Sequence, residues 1–163
     1  MDPIPADVVE RIWKDTTTLS IPKGKALTMK MGKDQPAIVA YLLAIGERDY
    51  NPDEAQLLFY LGMVVYRIFA ESGHPPPIVM PKVIDQVEKA NEKIFAYLEG
   101  EPESEVVKVM TDVKANYNQV EVLRYVTEAL MEDPEEGCNI RPQSLDGMLM
   151  RLKTVIDSLD QAG

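Results

Sequence analysis

Hydrophobic residues recur at helical spacing along most of the chain. The clearest case is the C-terminal segment, where the apolar positions follow a period of 3.6 residues without a miss: Leu145, Met148, Leu149, Leu152, Val155, Ile156 and Leu159. A shorter stripe of the same kind, with Val9 and Ile12 at its centre, predicts a first helix from about Ala6 to Thr17. No segment alternates apolar and polar residues between turn signals. The pattern therefore predicts an all-α fold.

Two central segments, residues 37–45 and 57–66, carry no charge on any face. Each segment is predicted to lie in a helix. Asp34 and Pro36 suit the start of the helix that contains residues 37–45, and Asn51 and Pro52 suit the start of the helix that contains residues 57–66. The second should continue to about residue 72, where Gly73 and the prolines after it end it. A helix that is apolar all round is buried on every side or lies in an interface. We therefore expect a central antiparallel hairpin, with Gly46 and Gly62 allowing a close approach of the two backbones.

The rest of the chain predicts four more helices, at about residues 81–98, 103–116, 118–132 and 145–159. Asn118 and Glu121 have the spacing of a capping box at the start of one of them. Residues 133–143 form an acidic, proline-ended loop. Together these segments predict one domain over residues 1–163. It would be a compact bundle or short stack of about seven helices around the central hairpin.

Residues 16–33 carry four lysines and no acidic residue. The Gly32-Lys33 pair suggests a phosphate-binding loop, but Leu27 stands where that motif requires its first glycine and Asp34 where it requires serine or threonine. We therefore interpret this segment as a lysine-containing surface loop.

The net charge of −10 excludes several classes of partner. A chain this acidic lacks the basic face that non-specific nucleic-acid binding requires, and it should not dock on anionic lipid. The charge is also uneven, with a net −7 between residues 101 and 136 against +4 in residues 16–33. This asymmetry is consistent with ordinary solubility, but it also suggests a salt-sensitive pairing of the lysine segment of one copy with the acidic region of another.

One histidine and one cysteine limit the possible chemistry. An internal disulfide, a cysteine-based zinc cluster and a multi-histidine metal site are all excluded, so no metal or cofactor is expected. His74 lies between Gly73 and Pro75 with no orienting partner in its pattern, and the carboxylates near Cys138 disfavour a nucleophilic thiolate. The sequence therefore names no catalytic residue and favours a protein that is not an enzyme.

Several features favour a cytoplasmic location. The first five residues have neither a basic nor an apolar region of the kind that begins a secretory signal. The longest uninterrupted apolar run, Leu57 to Tyr66, is about half of the length that a membrane span needs. A lone thiol also fits a reducing interior.

These observations favour a non-catalytic helical protein–protein interaction domain that self-associates, with a homodimer as the expected form. The large apolar residues expected to contact a partner are Trp13, Phe59, Met63 and Phe69. The alternative is a bundle that binds a small apolar or anionic ligand near the central hairpin. Its candidate residues are three tyrosines and two lysines: Tyr41, Tyr60, Tyr66, Lys25 and Lys33.

Overall fold

The computed structural model describes residues 1–99 and 116–163, and within them the chain forms seven α-helices and no strand. The helices are α1 (Ala6–Thr17), α2 (Ile21–Asp34), α3 (Pro36–Asp49), α4 (Pro52–Ala70), α5 (Pro81–Glu99), α6 (Val120–Met131) and α7 (Leu145–Ala162). A short 3₁₀ turn, Pro142–Ser144, precedes α7. The predicted all-α bundle is therefore confirmed. The predicted helix at residues 103–116 lies almost entirely outside the described residues.

Helix α4 is the centre of the bundle. It packs against α1, α2, α3, α6 and α7, and its middle is buried on every side, with Val65 fully inaccessible to solvent. The absence of charge between residues 57 and 66 is what allows this position, because an unpaired charge there would be desolvated at a cost of several kcal/mol.

Helices α3 and α4 form the predicted antiparallel hairpin, and glycine lets them approach closely. A Cβ placed on Gly62 would lie 2.5 Å from Cδ1 of Leu42, and one on Gly46 would lie 3.1 Å from Cβ of Ala55. The expected role of both glycines is thus confirmed. Small residues at the crossing allow the larger side chain of Leu42 to fill the space between the helices.

Helix α3 is less enclosed than the sequence predicts. It buries one face, centred on Ile38 and Leu42, against α2, α4 and α5. The side chain of Leu43 on the other face remains 56% exposed. Of the two charge-free segments, the one in α4 is the more enclosed, with residues 61–66 all buried, because α4 occupies the centre of the bundle.

The prediction of a loop at residues 16–33 is wrong, because most of this segment is helix α2. The Ser20 side chain accepts a hydrogen bond from the backbone N–H of Lys23, which caps the helix start, and proline follows in the first turn. Met31 is fully buried and Leu27 is partly buried, so the helix is held against α3 and α4 by one narrow stripe. Gly24 and Gly32 weaken the helical pattern in the sequence without breaking the helix.

The predicted helix cap at Asn51 and the predicted capping box at Asn118 differ in outcome. At the start of α4, Asn51 and Glu54 form a complete box, in which each side chain bonds the backbone N–H of the other residue. The box at Asn118 is wrong. Helix α6 begins one residue later than that pattern requires, with Gln119 at the cap position, and Asn118 instead donates hydrogen bonds to Asp160. Between α6 and the 3₁₀ turn, the predicted loop is present.

Candidate binding groove

A groove runs along the bundle between α1, α4 and α6, with a volume of about 840 Å³. Helix α1 contributes one face, from Ala6 through Trp13 to Thr17, and α4 contributes the face of its first half, from Asp53 to Leu61. Residues 132–140, between α6 and the 3₁₀ turn, border the same space. We call this the α1–α4–α6 groove.

The floor of the groove is apolar. Val9 and Leu61 are buried in the core beneath it, and Leu57 is half-buried on the same face of α4. Further apolar surface comes from α6 and the loop after it, at Ala129, Leu130, Pro134 and Ile140. An apolar surface of this extent favours a ligand that brings apolar groups of its own.

Aromatic side chains from three helices line the groove. The rings of Trp13 and Tyr125 are stacked, with their centroids 5.8 Å apart and an angle of 25° between their planes. Tyr60 of α4 lines the same space. Burial raises the pKa of Tyr125, and the neighbouring Tyr60 and Glu132 raise it further, so its hydroxyl stays protonated at neutral pH. Trp13 is the only tryptophan in the chain, and its fluorescence therefore reports on this groove alone.

Carboxylates surround the apolar floor. Among the described residues that line the groove, seven are acidic and one, Arg124, is basic. The acidic residues are Glu10, Asp53, Glu121, Glu128, Glu132, Asp133 and Glu135. Glu10 pairs with Lys14, and Glu121 pairs with Arg124. Within residues 1–99 and 116–163, the other acids of this rim form no ion pair. Negative charge around low-dielectric walls attracts cations into the groove.

A smaller cavity of about 370 Å³ lies between α2, α4 and the prolines at 75–77. In it, Asp34 Oδ2 accepts hydrogen bonds from Lys30 Nζ and from the Tyr66 hydroxyl, each at 2.5 Å. Burial and the bond to Asp34 raise the pKa of Tyr66 to about 12. The Asp34 carboxylate compensates the Lys30 charge, and Lys33 is a second lysine at the border of the cavity.

The five residues expected to bind a small ligand do not converge on one site. Tyr60 lines the groove, whereas Tyr66 and Lys33 line the smaller cavity. Lys25 is exposed on α2 and borders neither space, while Tyr41 is partly buried on α3.

The surroundings of Tyr41 explain its separation from the other four. Its hydroxyl lies beside Glu88 of α5 and Arg151 of α7, and burial raises its pKa. Arg151 donates hydrogen bonds to Glu88 and Asp49, so this cluster ties α3, α5 and α7 together. The arrangement stabilises the bundle instead of opening a binding site.

Of the four residues expected to contact a partner, only Trp13 borders the groove. Met63 and Phe69 are buried, with Phe69 fully inaccessible, so both pack the interior and are out of a partner's reach. Phe59 is partly buried and packs against the core. Met63 and Phe69 lie in the buried second half of α4, whereas the face of α4 that borders the groove belongs to its first half.

The sequence interpretation missed Tyr125 and the acidic residues beside it as one feature. Glu121, Tyr125 and Glu128 recur at helical spacing on one face of α6, and Glu132 follows at the end of the helix. That signal is visible in the sequence. The sequence does not show that α1 and α4 extend the same surface, because that depends on how the helices pack.

The described residues offer no obvious catalytic centre around the groove. His74 is exposed after the end of α4 and is not among the groove residues. Cys138 is exposed at the groove border. In the part of the chain that the structure covers, no three His, Cys, Asp or Glu side chains are grouped as a metal site would require. Among the same residues, no helix combines the length and the apolar character of a membrane span.

Comparison of the chain with protein-family models, with curated proteins and with solved structures finds no match in any of the three. The function is therefore argued from the groove itself.

Proposed function

We propose that this protein is a non-catalytic interaction domain that binds a cationic amphipathic helix of a protein partner in the α1–α4–α6 groove. The observation that supports this most is the combination of an apolar, aromatic floor with a rim of seven carboxylates. A helix with one apolar stripe and flanking lysines or arginines matches both parts of the groove at once.

The dimensions of the groove fit a helix. Its α1 side extends from Ala6 to Thr17, which at 1.5 Å per residue is about 16 Å, or three helical turns. Side chains at positions i, i+3 or i+4, and i+7 of a partner helix would lie along that length. The aromatic residues Trp13, Tyr60 and Tyr125 are the type that anchors interfaces.

Charge supports the choice of a basic partner. Rim carboxylates steer a cationic helix into the groove and repel an acidic one, so they contribute to specificity and association rate. Basic side chains above the rings of Trp13 and Tyr125 would add cation–π attraction, as Lys14 already does at 5.8 Å from the Trp13 ring.

The proposal is tested with a synthetic amphipathic peptide of about 14 residues, made only of leucine and lysine at helical spacing. Since the peptide has no tryptophan, a titration followed by Trp13 fluorescence measures its binding to the groove directly. We expect saturable binding that weakens as NaCl rises from about 50 to about 500 mM. A matched leucine–glutamate peptide should not bind.

Charge reversal on the protein provides the matched control. The variant Glu128→Lys/Glu132→Lys reverses two exposed rim acids, and Asp85→Lys/Glu92→Lys makes the same charge change on the exposed face of α5. The first should weaken peptide binding about tenfold or more, and the second should change it little. Equal loss in both variants would show that only net charge matters and would contradict the proposed groove.

A further inference from the structure

We propose that the partner of the groove is a second copy of this chain, which inserts its helix α2. This inference rests on the proposed function, because it names the cationic helix that the α1–α4–α6 groove binds. The α2 helix carries the feature that the groove requires, and within one chain the two do not meet: among the described residues, none of those bordering the groove belongs to α2.

The outward face of α2 is a basic stripe with an apolar centre. Lys25, Met29 and Lys33 are spaced four residues apart, so they stack on one face of the helix. That face is opposite to Leu27 and Met31, which hold the helix against the bundle. All three outward side chains are exposed, and they present a thioether between two ammonium groups.

Two large apolar side chains of α2 are exposed to solvent. Met29 is 76% exposed, and Ile21 at the start of the helix is 77% exposed. Asp34 at the end of α2 pairs with Lys30, whereas no acidic residue lies between Thr16 and Lys33 beside the other three lysines. In a chain of net charge −10, this face is the complement of the acidic groove rather than an average part of the surface.

In the proposed contact, the apolar and basic side chains of α2 meet the apolar floor and the acidic rim of the groove. Met29 fills the apolar floor near Trp13 and Tyr125, where a flexible thioether packs well against aromatic rings. Lys25 and Lys33, one turn to either side, reach the rim carboxylates. Each copy has one groove and one α2, which are different surfaces of the chain. Two copies that exchange helices close into a dimer, and a one-way exchange continues into larger assemblies.

The decisive experiment mixes two variants of the full chain, each with one half of the contact reversed. Lys25→Glu/Lys33→Glu keeps the groove and loses the basic helix, whereas Glu128→Lys/Glu132→Lys keeps the helix and loses the groove. All four positions are exposed, so both variants should fold, which circular dichroism verifies. Sedimentation measures the mass of each variant alone and of the equimolar mixture.

We expect the wild type to self-associate at low salt and to dissociate as NaCl rises. Each variant alone should self-associate about tenfold more weakly. The mixture should form a one-to-one complex, because the unchanged α2 of one variant meets the unchanged groove of the other, and the reversed helix and reversed groove positions again carry opposite charges. The control variant Lys82→Glu/Lys89→Glu, altered on exposed positions of α5, should assemble as the wild type does.

Cys138 provides a second readout, because it is the only cysteine and lies exposed at the groove border. In Met29→Cys, oxidation should link position 29 of one copy to Cys138 of another, giving a covalent multimer. Ala40→Cys, on an exposed position of α3, should not form a link to Cys138.

The two proposals fail in different ways. A wild type that stays monomeric at all salt concentrations, or a mixture that forms no complex, overturns the pairing of α2 with the groove. If the leucine–lysine peptide still binds, the groove keeps its proposed function with another protein as partner. If the peptide does not bind, both proposals fall together.

Discussion

The two sides of helix α4 differ in how closely they are packed. Toward α3, Gly62 and Ala55 are small, the helices approach closely, and Leu42 fills the remaining space. Toward α1 and α6, the same helix presents Leu57 and Tyr60 to an open groove of about 840 Å³. Small residues at a helix crossing let the two helices close together, whereas large aromatic residues and charged side chains line a groove that stays open. The comparison separates the residues that stabilise the fold from the residues that we propose bind a partner.

The same contrast appears in two adjacent residues at the start of α4. Asp53 faces the groove, while Glu54 is fully buried beneath residues 139–144. Glu54 completes the capping box with Asn51 and accepts hydrogen bonds from the backbone and side chain of Arg141. One carboxylate is thus part of the folded interior. Its neighbour lies at the rim, where it accepts a hydrogen bond from the backbone N–H of Asn139.

The largest expected effect comes from placing a charge on the sealed part of α4. Val65→Asp should unfold the domain or reduce it to a loosely packed state, because an unpaired buried charge costs several kcal/mol. Leu43→Asp makes the same type of change on the exposed face of α3 and should cost less than about 1 kcal/mol. Thermal unfolding followed by circular dichroism measures both. Similar melting temperatures for the two variants would contradict the enclosed position of α4.

The next effect is a pH dependence carried by Glu54. Burial alone would raise the pKa of this carboxyl, but hydrogen bonds from Arg141, Ser144 and Asn51 together lower it to about 2, from 4.5. A carboxyl with a lowered pKa in the folded state stabilises the fold above its unfolded value. That stabilisation is lost as pH falls from about 4.5 to about 2.

The variant Glu54→Gln isolates this contribution, since glutamine resembles the protonated acid. At neutral pH it should lower the free energy of unfolding by about 3 kcal/mol, and the difference from the wild type should vanish near pH 2. Urea unfolding across this pH range measures it. Asp53→Asn is the matched control on the rim, and its effect should be smaller at every pH. A constant difference for Glu54→Gln would show that shape rather than charge stabilises this position.

Much of the sealed region could be predicted from the sequence, and the open region mostly could not. The absence of charge in residues 57–66, the cap at Asn51 and the two glycines are local signals, and the structure confirms all three. The groove depends on which faces of α1, α4 and α6 meet, and no local pattern specifies that. The loop prediction for α2 failed because its buried stripe is only Leu27 and Met31, too narrow to stand out among glycines and lysines.

Glycine gives a smaller and more selective test of the comparison. In Gly62→Ala, the new Cβ meets Leu42 at 2.5 Å, so the side chain must shift, and we expect a loss of about 1–3 kcal/mol. Gly24→Ala, on α2, meets no atom within 4 Å and should stabilise the helix by about 0.5–1 kcal/mol. The opposite signs are the prediction, and chemical denaturation measures both. A stabilising Gly62→Ala would show that the hairpin has room to spare.

Substitution of an acidic residue at the rim of the groove should have the smallest effect on stability. The same substitution is the most informative about function. Glu128 is exposed among like charges, so Glu128→Gln should leave the free energy of unfolding within about 0.5 kcal/mol of the wild type or raise it. It should nevertheless weaken binding of the leucine–lysine peptide about two- to fivefold, the size expected for an exposed ion pair. Glu92→Gln on α5 should change neither quantity. A recognition surface differs from a merely solvated one in having carboxylates that are needed for binding and are not needed for folding. If Glu128→Gln leaves the peptide affinity unchanged, Glu128 is not part of such a surface.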